Sequence, residues 1–238
     1  MRTRVENMQR GFTLVELLIT MLISGIIITS IYSAFQSQQN SYLAQDQVAE
    51  MQQNIRAGLE VMTREIRMAG YDPTGTANAG FVAATGPRLN FTQDITDNAG
   101  TATDGDGDCN DSNENITFGF SNANDANTDG IADNVVPLAG AAPLGRDTGG
   151  GFQSIANNIA AIEFYYTLAD DSQTLTPANP ADIRIVQITI LARAANADRN
   201  FTHRATYMTP SGAVWAPPND NFRRRLLSQT VNCRNMGL

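Results

Sequence analysis

Residues 12–35 form an uninterrupted apolar run, and this run limits the possible folds more than any other feature of the sequence. It reads FTLVELLITMLISGIIITSIYSAF, and its only charged residue is Glu16. A helix of about 20 apolar residues is long enough to cross the hydrocarbon core of a bilayer. A cleaved secretory signal peptide, the main alternative, has a shorter apolar core followed by a cleavage site between small residues. Because this run continues directly into a helical pattern, we predict a retained transmembrane helix over residues 12–35.

An amphipathic helix is predicted to follow over residues 36–70. Apolar residues recur there at steps of three or four, which places them on one face of a helix. Gly70 is a common helix terminator, and Pro73 lies just beyond it. The two segments together predict one long helix, apolar all round at first and amphipathic later. The apolar face consists of Val48, Met51, Ile55, Leu59, Met62, Ile66 and Ala69.

The distribution of charge predicts the orientation of this helix in a membrane. Residues 1–11 contain three arginines and one glutamate, a sum of +2. The whole chain carries a net charge of −8, so the remainder carries −8 − 2 = −10. Positive charge is kept on the cytoplasmic side, which predicts a single-pass protein with a cytoplasmic N-terminus and a C-terminal region on the other side of the membrane; the resemblance described below implies that this membrane is the inner membrane and that side the periplasm. The acidic remainder argues against a nucleic-acid partner, which would require a basic face.

Residues 71–238 are rich in short β-branched segments. Residues 100–151, rich in Gly, Asp, Asn and Thr, predict an irregular acidic loop. A mostly antiparallel sheet packed on the amphipathic half of the helix would bury both apolar faces, so the predicted fold class is α+β. Strands are predicted at Arg88–Ile95, Asn115–Phe120, Ile159–Leu168, Ile183–Ala192, Arg204–Met208 and Arg223–Val231.

The segment RGFTLVE, residues 10–16, carries the most information about function. Gly11 has no side chain, so a protease can approach the backbone and release Phe12 as a new N-terminus. Glu16 places a carboxylate in an apolar span, at a cost of roughly 2.5–3.5 kcal/mol on insertion scales. The residues alone leave two readings open. Glu16 either reaches the membrane surface along its own stem, or pairs with a positive group such as the new α-amino group of a neighbouring subunit.

The same residues resemble the type III signal of prepilins, in which a basic leader ends in glycine, phenylalanine follows and glutamate is the fifth mature residue. Gly11, Phe12 and Glu16 match that pattern residue for residue. The resemblance implies that residues 1–11 are a leader peptide, cut after Gly11 by a prepilin peptidase. It further implies N-methylation of Phe12 and docking of subunits through Glu16.

Two further segments make the family resemblance more specific. Residues 54–73, NIRAGLEVMTREIRMAGYDP, and the run RRRLL at residues 223–227 resemble minor pilins of the PilW type, which are similar to the J-type minor pseudopilins of type II secretion. The implied protein is a pilin-like structural subunit that is incorporated into a type IV pilus or primes its assembly. The implied partners are other major and minor pilins, the inner-membrane assembly machinery and membrane lipid. A minor pseudopilin and a membrane-anchored periplasmic binding module are the alternatives.

Two acidic clusters fit part of a calcium-binding loop. In the first cluster, the twelfth position of the calcium-loop pattern is a valine. This predicts weak affinity for calcium, because the bidentate carboxylate usual at that position is missing. A cysteine replaces the turn glycine of the second. Solvated acidic turns are the alternative for both, so calcium is a possible ligand and no cofactor is predicted to be required. The first cluster has Asp125, Asn127, Asp129, Ile131 and Asp133 at positions 1, 3, 5, 7 and 9 of the loop, and the second has Asp104, Asp106 and Asp108, followed by Asp111.

Cys109 and Cys233 are the only cysteines of the chain. Two unpaired thiols are uncommon in the oxidising periplasm, so a disulfide between them is predicted. The loop-entropy model gives roughly 4–5 kcal/mol of stabilisation for closing so long a loop. The sequence does not show whether the two positions are close in space.

The residue types argue against catalysis. His203 is the only histidine, and no Cys-x-x-Cys pair is present, so no histidine-rich or cysteine-rich metal site is predicted. Ser154, Ser172 and Ser211 lack the glycine-flanked turn that exposes a nucleophilic serine. We therefore predict a structural protein rather than an enzyme.

Overall fold

The computed structural model describes residues 11–97, 105–134, 136 and 138–237. One long α-helix, α1, covers Leu14–Ile66. A short 3-10 turn covers Pro180–Asp182. The strands in the described part of the chain are β1 Phe81–Ala84, β2 Leu89–Thr92, β3 Asn115–Phe120, β4 Ala142–Asp147, β5 Phe152–Leu168, β6 Gln173–Thr174, β7 Ile183–Arg193, β8 Tyr207–Met208, β9 Val214–Trp215 and β10 Arg224–Asn232.

The chain divides into two compact units, residues 1–46 and residues 47–238. The described part of the first unit is α1 from Leu14 onward, preceded by three non-helical residues. Its apolar side chains are exposed, as Phe12 at 79% and Met21 at 68% illustrate. By length and composition α1 can cross a membrane, and none of its most apolar window is buried within the chain.

In the second unit, the remainder of α1 packs on the sheet through one apolar face. Met51, Ile55, Met62 and Ile66 on this face are buried, as the period of the sequence predicts. Gly58 allows a close approach of helix and sheet, because a Cβ atom added there would lie 2.9 Å from Cβ of Ala156 in β5. The backbone of the helix can rest directly against the strand only because position 58 has no side chain.

The sheet of the second unit is antiparallel at every pairing among the described strands. Its order is β1-β2-β3-β4-β5-β7-β10, with β6 pairing separately to β5. The longest pairing joins β5 to β7, from Ile159 opposite Ala192 to Leu168 opposite Ile183. β8 and β9 form a separate two-stranded ribbon. The predicted α+β architecture, a long helix packed on a mostly antiparallel sheet, is confirmed.

Aromatic side chains fill the core between helix and sheet. Phe91, Phe118, Phe164 and Tyr166 are fully buried. Burial of each such side chain contributes roughly 1.5–3 kcal/mol. The hydroxyl of Tyr166 donates to the backbone oxygen of Thr85 at 2.8 Å, so its polar end is satisfied inside the core.

Residues 100–151 are more regular than predicted. They contain β3, which the sequence pattern had indicated, and also β4, which was expected to be irregular. The sequence of β4, APLGRD, has low strand propensity, but the segment pairs with β3 on one side and β5 on the other. Gly145 is favoured within it, because a Cβ atom there would lie 2.6 Å from the backbone oxygen of Gln153 in β5. Residues 98–104 lie outside the described part of the chain.

Two predicted elements are shorter in the structure. The strand expected at Arg88–Ile95 is limited to β2, and only the last two residues of the strand expected at Arg204–Met208 are extended and paired. Helix α1 ends three residues before the predicted Ala69, and a turn leads to Gly70 at φ +76°. The N–H of Gly70 donates to the backbone oxygen of Thr92 at 3.0 Å, which ties the end of the helix to β2.

Candidate functional site

The first turn of α1 holds the residues that the sequence singles out. Helical structure begins at Leu14, so Gly11, Phe12 and Thr13 precede it. The hydroxyl oxygen of Thr13 accepts the N–H of Glu16 at 3.3 Å, and the backbone oxygen of Thr13 accepts the N–H of Leu17 at 3.2 Å. Thr13 therefore caps the helix, with Glu16 at the third helical position.

The bond between Gly11 and Phe12 lies in an accessible, non-helical segment. A Cβ atom added at Gly11 would meet no other atom within 4 Å. The fold therefore does not require glycine at this position, so the residue needs another explanation. The predicted cleavage after Gly11 agrees with this, because a residue without a side chain at position 11 leaves the backbone open to a protease. Residues 1–10, the rest of the predicted leader, lie outside the described residues.

Glu16 has an exposed side chain, and its carboxylate has no hydrogen bond or ion pair among the described residues. The partial positive charge at the N-terminus of a helix favours a carboxylate at this position. Phe12, one turn earlier, would carry a new positive amino group after cleavage. The carboxylate and that amino group would then lie at the same end of the helix. Among the described residues the carboxylate has no partner, so docking of Glu16 to a positive group of a neighbouring subunit stays a prediction.

Sequence reasoning missed the role of Thr13. The signal was present in the pattern Thr13-Leu14-Val15-Glu16, in which threonine is followed by glutamate three residues later. That spacing is typical of a helix N-terminus, because the hydroxyl and the glutamate can each satisfy a free backbone N–H. Only the first of these bonds is formed in the described structure, from the N–H of Glu16 to the hydroxyl of Thr13, while the Glu16 carboxylate stays a candidate for docking.

The first acidic cluster forms a tight loop in which the carboxylates accept backbone N–H groups. Asp125 is buried and accepts the N–H groups of Asp129 at 3.0 Å and Gly130 at 3.1 Å. Asp129 accepts the N–H of Ile131 at 2.8 Å, and Asp133 accepts that of Ala126 at 2.8 Å. Burial raises the pKa of Asp125, although its backbone hydrogen bonds act in the opposite direction. These bonds stabilise the loop without a cation.

Asn127 completes the arrangement by donating its side-chain N–H to Asp129 at 3.0 Å. Within the described residues, no group of three or more His, Cys, Asp or Glu side chains is placed to hold a metal ion. Calcium binding at this loop stays a prediction.

The second acidic cluster is a run of turns rather than a preformed site. Asp106 accepts the N–H of Asp108 at 3.2 Å, and Asp108 accepts that of Asn110 at 2.9 Å. Desolvation and the neighbouring Asp106 carboxylate raise the pKa of Asp111. Asp104 lies outside the described residues.

The expected disulfide is absent, because Cys109 and Cys233 are both free thiols. Cys233 lies in the core, where burial raises its pKa to about 12 and keeps it protonated. Cys109 lies in a surface turn, with its sulfur 3.8 Å from the backbone oxygen of Ala77. The structure does not pair the two thiols, and their disulfide stays a prediction.

The remaining polar candidates do not form a catalytic constellation. His203 is buried beside Tyr207, at 5.8 Å between ring centroids, and burial lowers its pKa. Neither ring nitrogen has a hydrogen-bond partner among the described residues, so no serine is activated by it. Ser211 donates instead to Glu163 at 2.8 Å, as does Thr209 at 3.0 Å. These contacts hold the β8–β9 ribbon on β5.

Comparisons with known proteins agree with the motif at the helix start. Residues 7–32 match the family described as the prokaryotic N-terminal methylation motif. A solved structure that is similar is the type IV-like pilin TTHA1219 from Thermus thermophilus, with 14% sequence identity, 78% of this chain and 98% of that chain covered, and a TM-score of 0.45. Among curated proteins, none matches the chain. Residues 115–235, just over half of the chain, match the type IV pilus-assembly protein W family, and the chain therefore belongs to that family.

Proposed function

We propose that this protein is a minor subunit of a type IV pilus. A peptidase cuts after Gly11, and Phe12 is N-methylated. Before assembly, the mature protein is anchored in the inner membrane with its C-terminal domain in the periplasm. The observation that carries this proposal is Glu16, which has no partner among the described residues and lies one turn after an accessible Gly11–Phe12 bond, at the start of an exposed apolar helix segment. The membership of a pilus-assembly family supports the same reading.

The chemistry of assembly follows from that arrangement. In a membrane, lipid covers the apolar side chains of residues 12–35, and in a filament the corresponding helices of neighbours would cover them. The Glu16 carboxylate would then lie in a region of low dielectric, where an unpaired charge is costly. The α-amino group of a neighbouring Phe12 neutralises it, so the electrostatic contact selects the correct register between subunits.

The function proposed is structural. No step in it requires a cofactor, and the family described by the match is one of assembly rather than catalysis. The partners are prepilin peptidase, major and other minor pilins, inner-membrane assembly proteins and lipid.

The test is the composition of sheared filaments. Mass spectrometry of filaments from cells that express the full chain should find this protein at a low ratio to the major subunit, starting at N-methyl-Phe12. Deletion of its gene should reduce the number of surface pili without reducing protein secretion. Absence from filaments, or a loss of secretion with normal pili, contradicts the proposal and in the second case favours a secretion pseudopilus.

A further inference from the structure

A groove of about 870 Å³ lies between α1 and β10, within the second unit. Its floor is apolar, and its helix side is basic. This combination resembles neither a closed core nor an ordinary polar surface. The residues that define the groove are Leu59, Met68, Leu227, Arg56, Arg64 and Arg67.

The arginines of the groove have no partner in the described part of the chain. Arg56 and Arg64 lie on α1, Arg67 lies in the turn directly after it, and all three are exposed. Glu60, between them, is the only carboxylate that lines the groove, and it forms no ion pair within the described residues. The groove therefore carries an excess of positive charge on a chain whose net charge is −8.

The other flank of the same helix segment is different. Glu65 pairs there with Arg146 of β4 at 2.7 Å, and both side chains are mostly buried. On the β4 flank, the charged side chain of the helix is therefore paired within the chain. On the β10 flank, the arginines have no partner among the described residues. Opposite charge from another molecule would complete the second flank as Glu65 and Arg146 complete the first.

β10 forms the floor of the groove and one edge of the sheet. It pairs with β7 through nine residues, from Arg224 to Asn232, and no described strand lies on its other side. Edge strands of this length present a row of unpaired backbone N–H and C=O groups. The opposite edge, β1, is only four residues long. An extended peptide can therefore add to β10 far more readily than to β1.

We infer that the groove receives an extended, acidic segment of a neighbouring subunit, which adds to the sheet as a strand beside β10. Main-chain hydrogen bonds to the edge would supply affinity, and pairing of Asp or Glu with Arg56, Arg64 and Arg67 would select the partner. Apolar side chains of the same segment would cover Leu59 and Leu227. The inference rests on the proposed function, because it takes the neighbour to be another subunit of the filament.

A strand fits this groove better than a helix does. A helix satisfies its own backbone groups and would leave the outer N–H and C=O groups of β10 without partners in a buried contact. An acidic strand satisfies both the edge and the arginines. The β10 edge of a second copy of this chain would have the same arginines beside it. Their mutual repulsion disfavours pairing of two β10 strands.

Site-specific photo-crosslinking of the full chain in its own cell tests the inference. p-Benzoylphenylalanine replaces Gln229, which lines the groove, or Val82, which is exposed in β1 at the opposite edge of the sheet. After irradiation, sheared filaments and membranes are analysed for crosslinked peptides. The probe at position 229 should label an extended segment of another pilin that contains Asp or Glu, at least tenfold more than the probe at position 82.

Charge variants give a second measurement on the same system. Arg64→Glu combined with Arg67→Glu should lower the crosslink at position 229 about tenfold, whereas lysine at both positions should retain it. Arg199→Glu, an exposed arginine beyond β7, is the matched control and should have no effect. Resistance of the domain to proteolysis should be equal in all variants, so a loss of folding is distinguished from a loss of docking.

The outcomes separate this inference from the proposed function. A wild-type protein absent from filaments contradicts the proposed function. A protein present in filaments whose groove probe labels nothing, a helix, lipid or nucleic acid contradicts the inference alone. A crosslink that survives the paired glutamate substitutions also overturns it, because the arginines then select nothing. If the protein is absent from filaments and the groove probe labels nothing in membranes, both are wrong.

Discussion

The two halves of α1 differ in where their apolar side chains find partners. Ile27, in the first half, is 52% exposed, whereas Ile55, in the second half, is fully buried. The first half exposes a continuous apolar surface, which marks contact with a membrane or another protein. The second half needs only the sheet of its own chain. One helix therefore combines a segment that depends on its surroundings with a segment that belongs to a folded domain.

Blocking the cleavage site should have the largest effect, and it should affect the first half alone. Gly11→Val places a branched side chain beside the bond, so we expect almost no mature protein. Mass analysis of the N-terminus measures this. Gly25→Val, which also adds a side chain in open space, is the control and should be cut normally. Normal cleavage of the Gly11 variant would contradict the role given to that residue.

Removing side-chain volume should distinguish the two halves directly. Ile55→Ala leaves a cavity between helix and sheet and should lower the free energy of unfolding by about 2–5 kcal/mol. Ile27→Ala makes the same chemical change at an exposed position and should leave that free energy unchanged. Denaturant unfolding of the full chain in detergent, followed by the fluorescence of Trp215, provides the measurement. Equal changes in the free energy of unfolding for the two variants would contradict the difference between the two halves of the helix.

The charge in the first half should matter for assembly and not for folding. Glu16→Ala removes a carboxylate that has no partner among the described residues, so membrane insertion and the unfolding free energy should not fall. Incorporation into filaments should fall about tenfold, since hydrogen bonds to charged groups contribute roughly 1.5–3 kcal/mol. Quantitative mass spectrometry of sheared filaments measures it, with Glu50→Ala, exposed on the same helix, as the control. Wild-type incorporation of the Glu16 variant would refute docking through this residue.

Acid should weaken the second unit through Asp220. This carboxylate accepts two hydrogen bonds from Arg224, whose side chain is fully buried. Burial raises the pKa of Asp220, but the bonds from Arg224 and from the N–H of Phe222 outweigh it and hold the pKa below its usual range. A lowered folded-state pKa means that the pair stabilises the domain above the unfolded pKa of about 3.9 and stops doing so as the pH falls through the lower folded value.

The expected contribution is on the order of 1 kcal/mol, since Asp220 is partly screened by solvent. Unfolding free energies measured between pH 5 and pH 2 should show this loss in the wild type. In Asp220→Asn the loss should be smaller, from a lower starting stability. A variant with an unchanged pH profile would show that the pair does not titrate as expected.

Calcium should have the smallest effect. If the Asp125 loop binds Ca²⁺ weakly, a concentration near the dissociation constant raises stability by only about 0.4 kcal/mol, or roughly 1–2 °C in Tm. Asp129→Ala should abolish this rise, whereas Asp147→Ala, which removes a carboxylate outside the loop, should preserve it. Identical melting curves in calcium and in chelator would show that the loop is held by its backbone hydrogen bonds alone.

The accuracy of the sequence-based predictions follows the range of the interactions involved. The buried face of α1 was predictable because a period of 3.6 residues is local. The strand β4 was not, because its pairing with β3 and β5 overrides the weak propensity of its residues. The cap at Thr13 was predictable from a local pattern of four residues, but it was not predicted. The separation of Cys109 from Cys233 and the groove beside β10 depend on contacts between distant parts of the chain, which composition and spacing do not report.

Gly58 makes the distance between helix and sheet depend on a single pair of small residues. A methyl group at position 58 would meet that of Ala156, while two hydrogen bonds, at 2.6 Å and 3.1 Å, fix Asn54 to the backbone of Asn157 one turn away. The helix therefore cannot move outward without stretching these bonds. Over evolutionary time, an increase in size at position 58 should be accepted only after a decrease at position 156. The two sites should change as a pair, although they lie far apart in the gene.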